Sequence, residues 1–251
     1  MNNLLLALQF LTMVPLKVND ADAKNMGLSL LYFPAVGLLL GLFLVFLDHI
    51  LVFLGFQPLA IGIVLVVSLI VVTGGIHLDG LADTVDALAG GGDRERILRI
   101  MRDPHIGAMG VLSLISILLL KIAFLVSLDA HTLLIALPLM CVLSRWSMVF
   151  LMFIFPYARQ EGKAKVYMQE RNKVVFISAF IIALLCAVLL MGLKGMLIFA
   201  VAAVCAYELG KLINRRIGGI TGDTIGGISE VLEVITLFCI IMIKRGEIWL
   251  M

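Results

Sequence analysis

Charged residues are scarce in this chain. Asp, Glu, Lys and Arg make up 14% of the 251 residues, whereas 62% are hydrophobic. A soluble globular domain has roughly a quarter charged and about half apolar residues. The excess of apolar side chains has no soluble interior large enough to hold it, so lipid is the natural solvent. The composition therefore predicts an all-α, polytopic membrane protein, with residues 1–251 forming one domain.

Cysteine pairs and net charge are lacking as well. Four cysteines occur, all within apolar runs and without CxxC spacing: Cys141, Cys186, Cys205 and Cys239. This pattern predicts small core residues and argues against disulfides and metal ligands. The net charge of +2 is too small to indicate a nucleic-acid partner. The first residues lack a basic start and a small-residue cleavage site, so we expect no cleavable signal peptide.

Long apolar runs are what the chain has in abundance. About seven transmembrane helices are predicted from runs that approach the roughly 20 residues needed to cross a bilayer. These runs are residues 28–47, 59–72, 108–128, 132–155, 174–191, 196–212 and 230–243. Residues 2–16 form a shorter apolar segment ending at Pro15, which predicts an additional N-terminal helix on or partly in the membrane. Residues 17–24 are interpreted as a polar connection.

Basic residues concentrate in alternate connections. They are Arg94, Arg96, Arg99 and Arg102, then Arg159, Lys163, Lys165, Arg171 and Lys173, then Lys211, Arg215 and Arg216. The intervening connections hold no Lys or Arg at 48–58 and 129–131, and only Lys194 near 192–195. The positive-inside tendency therefore predicts that the basic connections face the cytoplasm, in a cell inner membrane. Lys244 and Arg245 depart from this rule if residues 230–243 cross the membrane, so a re-entrant segment is the alternative.

The acidic stretch at residues 73–110 carries the main functional signal. If residues 78–88 are helical, Asp79, Asp83 and Asp86 lie at i, i+4 and i+7 and share one stripe. Three like charges repel each other, and a divalent cation or basic partners would offset this. Oxygen ligands alone suit Mg²⁺ or Mn²⁺ better than zinc. A solvated, charged helix face is the simpler alternative.

Two neighbouring groups extend this signal. His77 is a candidate general base for an incoming hydroxyl, and equally a structural histidine. Arg99 and Arg102 lie three residues apart on one helix face, where guanidinium groups are suited to phosphate. Asp103 follows in the same motif and is grouped with them as a substrate-binding candidate. Membrane orientation alone would also explain the two arginines.

Charges also occur inside apolar runs. Arg145 follows Ser144 deep in the fourth run, where an unpaired charge is costly. We expect a partner for it, and Asp79, Asp83 or a substrate phosphate are the candidates. Lys121 raises the same question in the third run.

Two further motifs lie towards the C-terminus. Arg159, in the string YARQEG, is a weak substrate-binding candidate. The glycine-rich string GGITGDTIGG at 218–227 allows close backbone approach and exposes N–H groups that can cradle anions. Thr221 and Gly222 are therefore substrate-binding candidates, and Asp223 and Glu230 are candidates to complete a metal shell. A flexible loop followed by a helix-start acid is the alternative.

Taken together, these strings resemble the cobalamin synthase family, whose members are adenosylcobinamide-GDP ribazoletransferases. The resemblance rests on TGGIHLDGLADTVDAL, RILRIMRDPHIGAMGVL, Ser144-Arg145, YARQEG, GGITGDTIGG and the opening LALQFLTMVPL. It implies an integral membrane enzyme that requires Mg²⁺ and acts late in vitamin B12 biosynthesis. Such an enzyme joins adenosylcobinamide-GDP to α-ribazole or its 5′-phosphate, giving adenosylcobalamin or its phosphate and GMP. Asp79 and Asp83 would then be metal or catalytic carboxylates.

The residue patterns and the resemblance combine into one hypothesis. Mg²⁺ on the stripe, with Asp223 and Glu230 as further ligands, grips the diphosphate. The catalytic candidates are Asp79, Asp83, His77, Arg102 and Arg145. The expected partners are the corrinoid nucleotide, α-ribazole and the lipid bilayer, with a homo-oligomer or a complex with other late B12-assembly enzymes as an open expectation.

Two other functions stay open. A CDP-alcohol phosphotransferase also places acids on a membrane helix, but Asp79-Gly80 is followed by Leu81-Ala82-Asp83 where that family has DGxxAR. An ion-coupled transporter would be expected to spread its acids over opposite halves of a repeat.

Overall fold

The computed structural model describes residues 2–14, 26–169 and 172–249. Pro15, the polar connection 17–24 and Arg171 lie outside these residues. The helices are α1 (Asn2–Leu11), α2 (Met26–Ser29) with a 3₁₀ turn at Leu30–Tyr32, α3 (Phe33–Phe53), α4 (Pro58–Thr73), α5 (Ile76–Gly90), α6 (Arg94–Ile100), α7 (Ala108–Val126), α8 (Ala130–Ile154), α9 (Lys163–Gln169), α10 (Lys173–Ile217) and α11 (Gly222–Trp249). The described chain has no β-strand beyond one isolated bridge between Tyr157 and Ile220.

The all-α membrane architecture is confirmed. Five helical segments are long and apolar enough to cross a membrane, or six if the bent pair α4–α5 counts as one span. The five are α2–α3 taken together, α7, α8, α10 and α11. Six of the seven predicted runs coincide with these segments, because α10 covers two of them.

Helix α10 is a hairpin. Gly192 has a φ of 58° and a ψ of −136°, which no α-helix contains. The rings of Phe180 and Phe199 lie 5.1 Å apart, whereas a straight helix would separate them by roughly 28 Å at 1.5 Å per residue. Gly195 also meets the backbone of Ala187. The arms 173–191 and 193–217 are therefore antiparallel neighbours, as predicted for the fifth and sixth spans.

Helix α8 forms the centre of the bundle. In its most apolar stretch 78% of the residues are buried, against 22% for α7 and for α10. Helix α3 crosses α8 so closely that a side chain at Gly37 or Gly41 would collide with the α8 backbone at Cys141 or Pro138. Small residues allow this backbone approach between membrane helices.

The C-terminal third differs from the sequence prediction. The glycine-rich string at 218–227 allows a flexible loop, yet most of it is helical, because α11 begins at Gly222. Thr221 makes this early start possible, because its hydroxyl oxygen accepts a hydrogen bond from the Thr224 N–H at 3.2 Å. Lys244 Nζ lies 3.6 Å from Asp129 Oδ2, beside the α7–α8 turn. Helix α11 therefore runs from the site end to the α7–α8 turn as one helix long and apolar enough to cross a membrane, which favours a full span for residues 230–243 over the re-entrant alternative.

A sharp bend places the acidic stretch at one end of the bundle. Gly74 and Gly75 adopt φ values of 68° and 67°, and α5 leaves α4 at 91°. Asp93 then caps α6, accepting a hydrogen bond from the Arg96 N–H at 2.8 Å. We call this the site end; the far end carries the α3–α4 and α7–α8 turns and Lys244.

Candidate functional site

Glycines bring α5 against the first turns of α11. A Cβ at Gly80 would lie 2.6 Å from the carbonyl oxygen of Asp223, and a Cβ at Gly226 would lie 3.1 Å from the Cα of His77. Such distances leave no room for side chains on either glycine. The acidic stripe and the glycine-rich motif, far apart in sequence, thus form one site.

Asp79, Asp83 and Asp223 form an aspartate cluster at this contact. Asp79 is exposed, and Asp83 and Asp223 are half-buried. The electrostatic neighbours of Asp83 are the carboxylates of Asp79, Asp223 and Asp86 and the guanidinium of Arg159. Arg159 Nη2 lies 2.8 Å from Asp223 Oδ2, and Arg159 Nε has no hydrogen-bond partner in the described part of the chain. One guanidinium therefore faces three carboxylates.

Asp86, the third member of the predicted stripe, has a structural use. Its two carboxylate oxygens accept hydrogen bonds from the N–H groups of Gly107 and Gly110, both at 2.7 Å. Gly107 immediately precedes α7 and Gly110 lies in its first turn. A negative charge at this end of a helix also interacts favourably with the helix dipole. A side chain on either glycine would collide with the carboxylate. Both oxygens of Asp86 thus anchor α7, and the role of Asp86 as a metal ligand stays a prediction.

Arg145 and Glu230 belong to a separate buried ion cluster, formed by Lys121, Arg145, Glu230 and Glu233. Lys121 Nζ donates to Glu230 Oε2 at 2.5 Å and to Glu233 Oε2 at 2.6 Å. Arg145 Nη1 donates to Glu233 Oε1. The partner of Arg145 is therefore Glu233, and the expectation that Asp79 or Asp83 pairs with it is wrong. Glu230 is paired with Lys121 and does not extend the aspartate cluster as predicted.

A partly enclosed cavity, called the enclosed cavity below, lies beside the aspartate cluster. Together with the open space at its mouth it contains about 710 Å³ not occupied by protein atoms. Its lining includes Phe10, His77, Met148, Met152, Arg159, Asp223 and Ile225. His77 is buried, and its Nδ1 has no hydrogen-bond partner among the described residues. Arg145, Glu233 and Lys121 are its charged neighbours, so His77 separates the cavity from the buried ion cluster.

An arginine groove opens on the other side of Arg159. It contains about 850 Å³ and is lined by Arg94, Glu95, Arg99, Arg102, Arg159 and Gln160, among others. Arg94 is held in place, since its Nε donates to the Ile217 carbonyl at 2.7 Å and its Nη2 to the Ala158 carbonyl at 2.6 Å. The structure brings the predicted phosphate-binding residues Arg99, Arg102 and Arg159 into this one groove. Arg159 lines both the groove and the enclosed cavity.

Two predicted substrate-binding side chains line neither space. Asp103 is exposed and accepts hydrogen bonds from the backbone N–H of His105 at 3.0 Å and from its ring Nδ1 at 2.7 Å. These hydrogen bonds lower the pKa of Asp103. The Thr221 side chain is fully buried and caps α11, whereas the adjacent Gly222 does line the enclosed cavity.

The donor set of the aspartate cluster fits a hard cation. Among the described residues, no three His, Cys, Asp or Glu side chains are already arranged around a common point. Asp79, Asp83 and Asp223 nevertheless offer only oxygen atoms, and the cation that faces them among the described residues is Arg159. Oxygen ligands and excess negative charge suit Mg²⁺. The carboxylates would have to rotate towards such an ion.

The sequence analysis missed the apolar wall of the enclosed cavity. Met148 and Met152 follow Arg145 by three and seven residues, so they lie on the same face of α8 and reach the cavity one and two turns beyond it. That spacing was a usable signal once Arg145 was suspected of facing inwards. Phe10 reaches the cavity from α1, which no sequence pattern indicated.

Comparisons with known proteins agree on one family. The profile of a family described as cobalamin-5-phosphate synthase matches residues 3–241. The chain is similar to the adenosylcobinamide-GDP ribazoletransferase of Desulforamulus reducens, at 36% identity over 96% of each chain. It is also similar to the proteins of that name from Pseudomonas fluorescens SBW25, at 38% identity over 92% of this chain and 96% of the relative, and from Escherichia coli K12, at 35% over 93% and 97%. No solved structure matches significantly.

Proposed function

The chain belongs to the cobalamin-5-phosphate synthase family, and on this premise we propose that it is a Mg²⁺-dependent adenosylcobinamide-GDP ribazoletransferase. It transfers the adenosylcobinamide phosphate group from adenosylcobinamide-GDP to α-ribazole or α-ribazole 5′-phosphate. The products are adenosylcobalamin or its 5′-phosphate, and GMP.

One observation carries this proposal: three carboxylates with a single guanidinium lie where an enclosed cavity meets an arginine groove. Phosphoryl transfer from a diphosphate depends mainly on positioning and on stabilising negative charge. Asp79, Asp83 and Asp223 would hold Mg²⁺, which would neutralise charge on the diphosphate oxygens. Two spaces that meet at Arg159 provide room for two substrates at one reacting phosphorus.

The residues of the chain would carry the remaining steps. Arg99, Arg102 and Arg159 bind phosphate oxygens, for which guanidinium groups are suited. A ribose hydroxyl of the acceptor, other than the 5′ position that carries the phosphate in α-ribazole 5′-phosphate, forms a bond through its oxygen to the phosphorus on the cobinamide side, and the bond from that phosphorus to the bridging oxygen breaks. GMP leaves with the bridging oxygen. The unpartnered nitrogen of His77 accepts the hydroxyl proton.

The membrane orientation is part of the proposal. The site end holds the arginines of α6, Arg159, and Arg215 and Arg216 at the end of α10. By the positive-inside tendency the site end faces the cytoplasm, in an inner membrane. Self-association, or assembly with other late B12 enzymes, stays a prediction that sedimentation of the purified protein would test.

The test uses detergent-purified full-length protein. We expect GMP release only when Mg²⁺, adenosylcobinamide-GDP and α-ribazole are all present. Equal release without α-ribazole would indicate a hydrolase and contradict the proposal. CMP release from a CDP-alcohol would support the phosphotransferase alternative, and ion flux in liposomes without GMP release would support the transporter alternative.

A further inference from the structure

We propose that the enclosed cavity binds the base and ribose of the acceptor and that the arginine groove binds the guanine nucleotide of the donor. This division rests on the proposed function and assigns a substrate to each space. It makes Met148 and Met152 the residues that select the base, and Glu95 and Arg99 the residues that select and hold the nucleotide.

The apolar lining assigns the enclosed cavity to the base of the acceptor. Even with the open space at its mouth the cavity holds only about 710 Å³, which is too little for a corrinoid nucleotide. Met148, Met152 and Ile225 are almost fully buried and line the cavity. Thioether and aliphatic groups make favourable contacts with a flat aromatic base.

The polar end of the same cavity orients the acceptor. His77, Arg159 and Asp223 line it together with the methionines. The buried His77 Nδ1 lacks a hydrogen-bond partner in the described residues, and a buried polar atom left unpaired is costly. A ligand hydroxyl would satisfy this nitrogen. A nucleoside whose base lies among the methionines would therefore present its sugar hydroxyl at the aspartate cluster.

Charge assigns the arginine groove to the nucleotide. Arg99 in α6 and Arg102 in the turn that follows this helix are exposed and line the groove. Two guanidinium groups beside Arg159 match a diphosphate. Glu95 lines the same groove, and its carboxylate can accept hydrogen bonds from the N1–H and N2–H groups of guanine. Adenine has neither donor at those positions, so Glu95 would favour GDP over ADP.

Equilibrium binding to the purified full-length protein tests the division without turnover. Met152→Ala should weaken binding of α-ribazole about tenfold or more, the scale of lost contacts in an apolar pocket, and leave GDP binding unchanged. Arg99→Gln should weaken GDP about tenfold, as expected for a lost charge-assisted hydrogen bond, and leave α-ribazole unchanged. Glu95→Gln should reduce the preference for GDP over ADP.

Matched controls exclude general damage. Met140→Ala truncates a buried methionine of α8, and Arg96→Gln removes an arginine of α6; neither residue lines the two spaces. Both should leave both affinities unchanged. Met152→Ala should also improve binding of ribosides with bulkier bases relative to α-ribazole, which a merely structural role would not do. If Met152→Ala fails to fold, the volume-conserving Met152→Leu should show a smaller loss for α-ribazole alone.

The opposite pattern would overturn the assignment: loss of GDP binding in Met152→Ala, or equal loss of both ligands in either variant. Failure of the wild-type protein to bind either ligand would overturn it as well. Wild-type protein that binds both ligands in the expected spaces, yet releases no GMP from the complete mixture, would instead contradict the proposed function.

Discussion

The aspartate cluster and the buried ion cluster use similar residues in opposite ways. In the buried ion cluster two carboxylates face two cations, and all four side chains are almost fully buried. In the aspartate cluster three carboxylates face one guanidinium and remain partly open to the surroundings. Charge that is balanced within the protein indicates a structural role, because a buried ion must be paired. Charge left unbalanced beside a cavity indicates a ligand.

Breaking the balanced cluster should have the largest effect. Glu233→Gln leaves Lys121 and Arg145 with only Glu230 as a carboxylate partner, and loss of one partner from a buried pair costs about 3–5 kcal/mol. We expect a large loss of thermal stability in detergent. The double variant Lys121→Met/Glu230→Gln keeps the cluster neutral through Arg145 and Glu233. It should be more stable than either of its single variants, and a purely additive loss would contradict the idea of charge balance.

The unbalanced cluster should respond in activity and not in stability. Asp83→Asn should lower the rate of GMP release roughly 100-fold or more, the scale of losing a key electrostatic group. Its unfolding temperature should be unchanged or higher, because one repelling charge is removed. Glu208→Gln is the control, because it changes an exposed carboxylate of α10 that pairs with Lys211. Near-normal GMP release by Asp83→Asn would remove that carboxylate from the catalytic site.

Asp86 lies between the two cases and sharpens the comparison. Asp86→Asn weakens two hydrogen bonds to the N–H groups at the start of α7, and hydrogen bonds to charged groups contribute about 1.5–3 kcal/mol. We therefore expect a moderate loss of stability. Gly110→Ala places a methyl group against the same carboxylate and should cause a similar loss. If Asp86→Asn instead abolishes activity in a fully stable protein, Asp86 belongs with the aspartate cluster.

The smallest effect is expected at the far end. Lys244 and Asp129 form an ion pair of 3.6 Å with both side chains partly exposed, and such surface pairs contribute roughly 0–1 kcal/mol. Lys244→Ala should change neither the unfolding temperature nor GMP release measurably. A large loss of stability or of GMP release would show that partial exposure of an ion pair in this bundle does not mean that the pair contributes little.

The positions of the helices could be predicted from the sequence better than the pairing of their charged side chains. Apolar runs, the Asp93 cap and the helix through Asp79, Asp83 and Asp86 follow from local chemistry, and the structure has all of them. The pairing of Arg145 with Glu233 depends on how α8 and α11 pack, which periodicity does not encode. A signal was present, since Lys121, Arg145, Glu230 and Glu233 are two cations and two anions within the apolar runs of three helices.

The fate of Asp86 was hidden for a similar reason. Helical spacing places it on the stripe with Asp79 and Asp83, but Gly107 and Gly110 reach it through a turn in the tertiary structure. The early start of α11 was missed because the many glycines of residues 218–227 indicate a loop. The hydrogen bond from the Thr224 N–H to the Thr221 hydroxyl is enough to begin the helix there.

The turn at Gly192 has a practical consequence. The arms of α10 hold to each other through Phe180 and Phe199, and Trp146 of α8 packs against both rings. Leu189 and Leu193 at the tip are among the most exposed apolar side chains of the described chain. The two arms therefore pack against each other and against α8 without needing the peptide bond at the tip. Co-expressed fragments divided at Gly192 should reassemble into an active enzyme.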